Sequence, residues 1–312
     1  MIYSQSKLRY GALPLFLLVT ACVNEPKDGN PPPVGTKAVT GKFTVAMSET
    51  GNTSIIGTIQ TGPSPANIVW EEIDQSGSCR LYKPRVPFCD PRCETGFTCV
   101  EDGQCMASPQ RIGVGKVTVT GIKTNTGTST FSMDMIVNSY QAVGIQLAFP
   151  PFAEGEAVTF SAAGADSIAA FAVTAKGIAP LAILNGEITM ADGQPITLQW
   201  TPSAQAGNSV ISVYVDISHH GGTKGKILCE GPDNGNLVIA ASLLDKLKAL
   251  GVSGFPKVEI TRKSETLNAD AGVELSLESM VNKELTIPGL ISCGGDEDCP
   301  DGQTCQNDLK CK

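Results

Sequence analysis

The 312-residue chain has two histidines, His219 and His220, and they are adjacent, in the run YVDISHHGG beside Asp216 and Ser218. A carboxylate, a hydroxyl and an imidazole are the parts of a nucleophilic triad, and imidazoles also ligate transition metals. Spacing limits what these residues can do. Triad members come from separate elements that converge in space, whereas here all four lie within five residues. There is no G-x-S-x-G turn to present a serine. Neighbouring side chains on a strand end point to opposite faces, so the two imidazoles are not expected to share one ion. The segment reads as a polar strand end followed by a Gly-Gly turn. Asp216, His219 and His220 stand as the catalytic or metal candidates, for a hydrolase.

The run SHHGG resembles a histidine-pair loop of metallo-β-lactamase-like hydrolases, but the H-x-H-x-D-H motif of that fold is missing. Other polar spots carry less. EGPDNGN (230–236) places Asp233 beside an Asn-Gly pair, which predicts a hairpin loop, with a carbohydrate or calcium role for Asp233 as the sharper alternative. Asp296, Glu297 and Asp298 lack the alternating spacing and distal glutamate of an EF-hand loop and read as a solvated turn. GVGKVTV (113–119) does not have the spacing of a phosphate loop. Trp200 and Trp70 are both expected to pack between sheets, Trp70 less completely; sugar stacking is the functional alternative for both.

Cysteines carry the clearest pattern. There are eleven, and CETGFTCVEDGQC (93–105) aligns without gaps with CPDGQTCQNDLKC (299–311) at an offset of 206. Cys89 matches Cys293, so each copy is a four-cysteine module, too small to fold by burial alone and stapled covalently. Setting Cys22 aside leaves ten, and if each module closes internally Cys79 must pair with Cys229. Within the modules the favoured pairing is first to third and second to fourth: Cys89–Cys99, Cys93–Cys105, Cys293–Cys305 and Cys299–Cys311. It is one of three connectivities per module, and the sequence does not select among them. A zinc site is the rival reading, disfavoured by C-x5-C spacing and the lack of nearby histidine.

The elements that must position these groups are strands. Period-two alternation with turn punctuation runs from residue 38 to about 285, from KFTVAM and SIIGTIQ through SVISVYVDIS to VELSLESM. One segment, ASLLDKLKALG, has helical spacing, with Ser242 as the expected cap and Gly251 as the stop. Thirty-three glycines, twenty prolines and 5% aromatics suit a turn-rich β protein. The expected fold is all-β: an antiparallel β-sandwich body (38–290, one large or two smaller) with one short helix. A cysteine-rich insertion (79–109) interrupts it, and a cysteine-rich module (291–312) closes the chain.

The N-terminus reads as an export signal. Lys7 and Arg9 precede the apolar stretch GALPLFLLV, which ends on Thr20 and Ala21. That stretch is about half the roughly 20 residues needed to span a bilayer. VTAC (19–22) resembles the lipobox of bacterial lipoproteins, which implies cleavage after residue 21 and lipidation of Cys22. Residues 22–37, with three consecutive prolines, read as a spacer between lipid and body. Val23 is not the aspartate that holds such proteins in the inner membrane, so the expected address is the outer membrane of the cell envelope. The lipobox, the β-rich body and modules such as DCPDGQTC together resemble the lipoproteins of myxobacteria and related predatory bacteria. The modules loosely resemble small cysteine-rich modules of the Dickkopf type. This resemblance covers about 60 residues and transfers no catalytic residue.

A net charge of -8, or -10 once Lys7 and Arg9 are removed, argues against nucleic acid or anionic lipid as a partner. The expected function is non-catalytic: an envelope-anchored protein that binds a glycan or another envelope protein, with no cofactor. The alternatives are a surface hydrolase built on Asp216–His220 and a purely structural envelope component.

Overall fold

The computed structural model describes residues 39–165 and 168–312. The export signal, Cys22 and the spacer lie outside the described residues. In chain order the strands are β1 (Val39–Ser48), β2 (Thr53–Thr61), β3 (Val69–Ser76), β4 (Cys79–Arg85), β5 (Phe97–Glu101), β6 (Gln104–Ala107), β7 (Val117–Thr120) and β8 (Thr130–Met133). They continue as β9 (Met135–Ile136), β10 (Ser139–Gln141), β11 (Ala157–Ala162), β12 (Phe171–Lys176), β13 (Ile188–Thr189) and β14 (Ile196–Gln199). The last are β15 (Val210–Asp216), β16 (Lys226–Pro232), β17 (Asn236–Ile239), β18 (Lys257–Asn268) and β19 (Val273–Thr286). The helix α1 (Ala241–Ala249) falls between β17 and β18.

The body is all-β. One eleven-stranded sheet runs β3-β4-β16-β15-β18-β19-β1-β2-β10-β9, with β13 added alongside β19. A four-stranded sheet, β12-β11-β7-β8, and a two-stranded one, β14-β17, complete the body. Most pairings are antiparallel, as alternation and short turns lead one to expect. Two are parallel, however: β1 with β19 and β13 with β19. Alternation specifies which face a residue takes, not which strand lies beside it, so this mixture was not visible in the sequence.

Two separate cores share the large sheet. In the first, Phe43, Val45, Ile59, Val273, Leu275 and Leu277 meet Val119, Val158, Phe160 and Phe171 of the four-stranded sheet. Phe43 lies across β2 at Gly57, where a Cβ would collide with its ring, and it packs 5.2 Å from Phe160. In the second core, Ile211, Val213, Val215, Ile227, Val258 and Ile260 meet Leu198 and Ile239 of β14-β17 and the buried Leu243, Leu244 and Leu247 of α1. The strict burial alternation of β15 follows from its sequence, since every second residue of VISVYVD is a β-branched aliphatic facing inward. β19 spans both cores, with Val273, Leu275 and Leu277 in the first and Val281 and Leu285 in the second. Fourteen residues at about 3.4 Å each make β19 roughly 45 Å long.

Three local expectations need correction. The helix starts after Ala240 with no side-chain cap, and Ser242 lies inside it. Burial of its three leucines, not capping, holds it in place. At its other end Gly251, at φ 104°, does stop it. Asn234-Gly235 does not close a hairpin: β16 pairs with β15 and β4, while β17 pairs with β14. The turn is a corner that carries the chain from one sheet to another. Finally, Cys79–Arg85 is a strand of the large sheet, so the cysteine-rich insertion begins after it.

Candidate functional site

Ten cysteines form five disulfides: Cys79–Cys229, Cys89–Cys99, Cys93–Cys105, Cys293–Cys305 and Cys299–Cys311. Cys79 and Cys229 are direct cross-strand partners on β4 and β16, and their bond lies in the second core. Among the described residues, the groups of three or more metal-type ligand atoms within 4.8 Å of one another are Cys89, Cys93 and Cys99, and Cys293, Cys299 and Cys311. Their sulfurs are bonded in pairs, so the thiolates a zinc ion would require are absent. The repeated modules attach to the body differently. Arg85 binds Glu71 of β3 together with Glu101 and Asp102 of the first module. In the second, Ser292 donates to the Gly254 carbonyl, Gly254 N–H donates to Asp308 O, and Lys310 Nζ donates to Val252 O. Asp296 and Asp298 accept backbone N–H groups from Cys305, Gly294 and Gly295. These acids brace their own loop.

The histidines lie beyond the end of β15, in a turn, and this overturns the expectation that they diverge. Their ring centroids are 4.0 Å apart at 45°. His220 is in the left-handed region, φ 64°, which reverses the backbone and swings its ring to the same side as His219. Among the described residues, no hydrogen-bonded triad forms at Asp216–His220, the segment of the alternative hydrolase reading. Asp216 Oδ2 is 3.6 Å from His219 Nδ1, and Asp216 Oδ1 accepts the Ser218 N–H of its own turn. Ser218 Oγ is buried and accepts Lys224 N–H. Among the described residues neither imidazole takes part in a hydrogen bond. His219 does line a half-open cleft of about 670 Å³ with Phe255, Lys257, Glu284, Leu290 and Ser292.

Asp233 faces inward. Its carboxylate and Arg262 form a buried pair, each side chain 2% exposed. Oδ2 accepts Arg262 Nε at 2.6 Å and Ser209 Oγ at 2.7 Å; Oδ1 accepts Trp200 Nε1 at 2.7 Å and Arg262 Nη2 at 3.1 Å. The remaining guanidinium hydrogens go to the carbonyls of Ala179, Pro180 and Thr201. Burial opposes ionisation of Asp233, but the bonds from Arg262, Ser209 and Trp200 prevail and hold its carboxyl below the usual carboxylate range. The pair stands where the two cores meet and fastens the segment that leads from β12 to β13. Trp200 is 1% exposed, so it is closed to any sugar. This cluster is structural.

The open face of the large sheet is different. There the outward residues of β3, β4, β16 and β15 put three aromatic rings around one cation. Lys226 Nζ lies 3.8 Å from the centroid of Trp70, 5.8 Å from Tyr82 and 5.9 Å from Tyr214. Register explains the grouping: Lys226 pairs with Tyr82 on one side and Asp216 on the other, and Tyr214 is opposite Leu228. All four side chains are half-buried. Burial lowers the Lys226 pKa, and burial, then Asp216 and Glu259, pushes the Tyr214 hydroxyl up to about 12, so it stays a donor at any physiological pH. Among the described residues, the Lys226 ammonium, the two tyrosine hydroxyls and the Trp70 indole N–H have no hydrogen-bond or carboxylate partner. A half-open cleft of about 500 Å³ adjoins them, lined by Arg80, Tyr82, Ser212, Leu228 and Glu230. The sequence reading flagged Trp70 alone. Tyr82, Tyr214 and Lys226 come from runs that look like ordinary alternating strands, and only the register brings them together.

No protein-family model and no curated protein sequence matches the chain. Among solved structures, it is similar to a two-domain fibronectin type III segment of chicken tenascin, with 14% identity, 71% of this chain and 99% of that chain covered, and a TM-score of 0.21. It is also similar to the first three fibronectin domains of chicken contactin CNTN1, with 10% identity, 72% of this chain and 66% of that one covered, and a TM-score of 0.21. Scores this low lend nothing to the fold, which rests on the strand pairings above. No helix among the described residues is long and apolar enough to cross a membrane.

Proposed function

We propose that this protein is a lipid-anchored, non-catalytic binding protein of the bacterial cell envelope, and that the open face around Lys226 binds glycan. The anchor is Cys22, read from its lipobox, with outer-membrane placement following from Val23. One observation supports the binding role most: three aromatic rings and four unpartnered donors share one exposed, rigid sheet face beside a polar cleft. Aromatic rings take the C–H faces of sugar rings, while ammonium, phenol and indole hydrogens donate to their hydroxyls. Arg80, Ser212 and Glu230 in the adjoining cleft extend the same chemistry.

The test is binding of the purified full-length chain to immobilised peptidoglycan fragments, lipopolysaccharide and capsular polysaccharides. Trp70→Ala and Tyr82→Ala should each weaken binding at least tenfold without changing the thermal midpoint by more than a few degrees. Retention unaffected by both substitutions would refute this assignment of the face. Radiolabelled palmitate should enter the wild-type chain and not Cys22→Ala; equal labelling of both would remove the anchor.

A further inference from the structure

The β9–β10 hairpin ends in a two-residue turn made of Val137 and Asn138, at φ 45° and 69°. A turn of this hand calls for Asn-Gly, and a β-branched residue there is strained. Val137 is 90% exposed and the preceding Ile136 is 42% exposed. Neither the backbone nor the core gains from a valine at this point. Strain held at an exposed apolar tip is the signature of a contact made with something else.

Register shows which way the tip points. Tyr140 pairs with Gly57, which pairs with Phe43. Beyond Gly57 that edge of β2 is taken by residues 110–112, with Arg111 bridging Gln60 and Ile112 N–H donating to the Ile59 carbonyl, so the hairpin runs outside this segment toward the Thr61 end of β2, which pairs with Val39 of β1. The tip therefore points toward the end of the sheet where β1 begins, outside the 110–112 segment. Leu267 on β18, 60% exposed, pairs with Glu274 and stands level with Lys42 on the same rim. The 16 residues from Cys22 to Lys37 precede this end, and as a proline-rich spacer they reach at most about 50 Å.

We infer that the tip formed by Ile136 and Val137 is a contact point for the lipid bilayer surface, orienting the body on the membrane. This rests on the anchoring at Cys22 proposed above. A contact of two side chains is too small to hold a free protein on a bilayer. The tether supplies the missing part, keeping the tip at an effective concentration in the millimolar range beside the lipid.

The acylated full-length chain, reconstituted in phosphatidylcholine vesicles with brominated acyl chains, tests this. Tryptophan placed at the tip, Val137→Trp, should be quenched several-fold more strongly than tryptophan beside the second core, Leu184→Trp, where Leu184 is 65% exposed. Equal quenching overturns the inference while leaving the anchor intact, provided the chain still floats with the vesicles. A chain that is not acylated at Cys22 and does not float overturns both. Val137→Asn suits the left-handed turn, so its fold should persist with a higher thermal midpoint, yet slowed amide exchange at residues 135–140 on vesicles should be lost. Exchange slowed equally in that variant, or self-association in solution that it abolishes, assigns the tip to another role and overturns the lipid contact.

Discussion

Replacing Arg262 by methionine should unfold the protein far more readily than the loss of one ion pair on a surface would. The guanidinium is 2% exposed and donates to both oxygens of Asp233 and to the carbonyls of Ala179, Pro180 and Thr201. Methionine fills much of the volume but donates nothing. Asp233 is then left as a buried charge with only Trp200 and Ser209 as donors, and three carbonyls lose their partner. Breaking one side of a buried pair costs about 3–5 kcal/mol. At about 2–4 °C per kcal/mol for a body of this size, the midpoint should fall by about 10 °C. The double variant Arg262→Met with Asp233→Leu removes both charges and should recover at least half of that loss, because the penalty lies in the orphaned carboxylate. Calorimetry on wild type, both single variants and the double variant closes the cycle. A loss below about 1 kcal/mol for Arg262→Met, or single-variant losses that simply add, would refute the reasoning that the pair fastens the two cores together.

The same pair predicts acid sensitivity. Asp233 has a folded pKa below its unfolded value, so its contribution is fully present above about pH 4 and is lost as pH falls through the folded pKa; Asp233→Asn should flatten the fall of the midpoint with acid, and parallel curves would contradict this. Removing the Cys79–Cys229 bond, which closes a loop of 150 residues, by Cys79→Ala with Cys229→Ala should cost up to about 5 kcal/mol by chain entropy, with both cysteine-rich modules still oxidised by peptide mapping; a loss under about 1 kcal/mol would show that the strand register alone holds β4 to β16.

What the sequence disclosed and what it withheld divide along a physical line. Alternation in SVISVYVDIS and the leucine spacing of α1 are local, and both elements form where local pattern placed them. The spacing of the cysteines and their repeat are likewise written in the chain. Pairing is a different matter, because Asn234-Gly235 carries turn chemistry whether it closes a hairpin or rounds a corner between sheets. Arg262 sits in PKVEITRK, indistinguishable by type from the half-buried Lys257 and Lys263, and its burial depends on a carboxylate from the turn after β16. Asp233, expected in a hairpin loop, is hidden for the same reason. The aromatic face could not be read either, since Trp70, Tyr82, Tyr214 and Lys226 are joined only by register across four strands. The histidine pair failed in the opposite sense: adjacent in sequence, the imidazoles meet each other and little else.

The parallel pairing of β1 with β19 has a consequence for how the molecule comes into being. The first strand of the body finds its neighbour in the last, and the first core lacks Val273, Leu275 and Leu277 until that neighbour arrives. An emerging chain therefore cannot close this core early, however long it waits. Contacts so distant along the chain also fold slowly. Under the export proposed above, this order of assembly would be protective: the polypeptide would stay loose enough to translocate and lock only when its final strand had crossed.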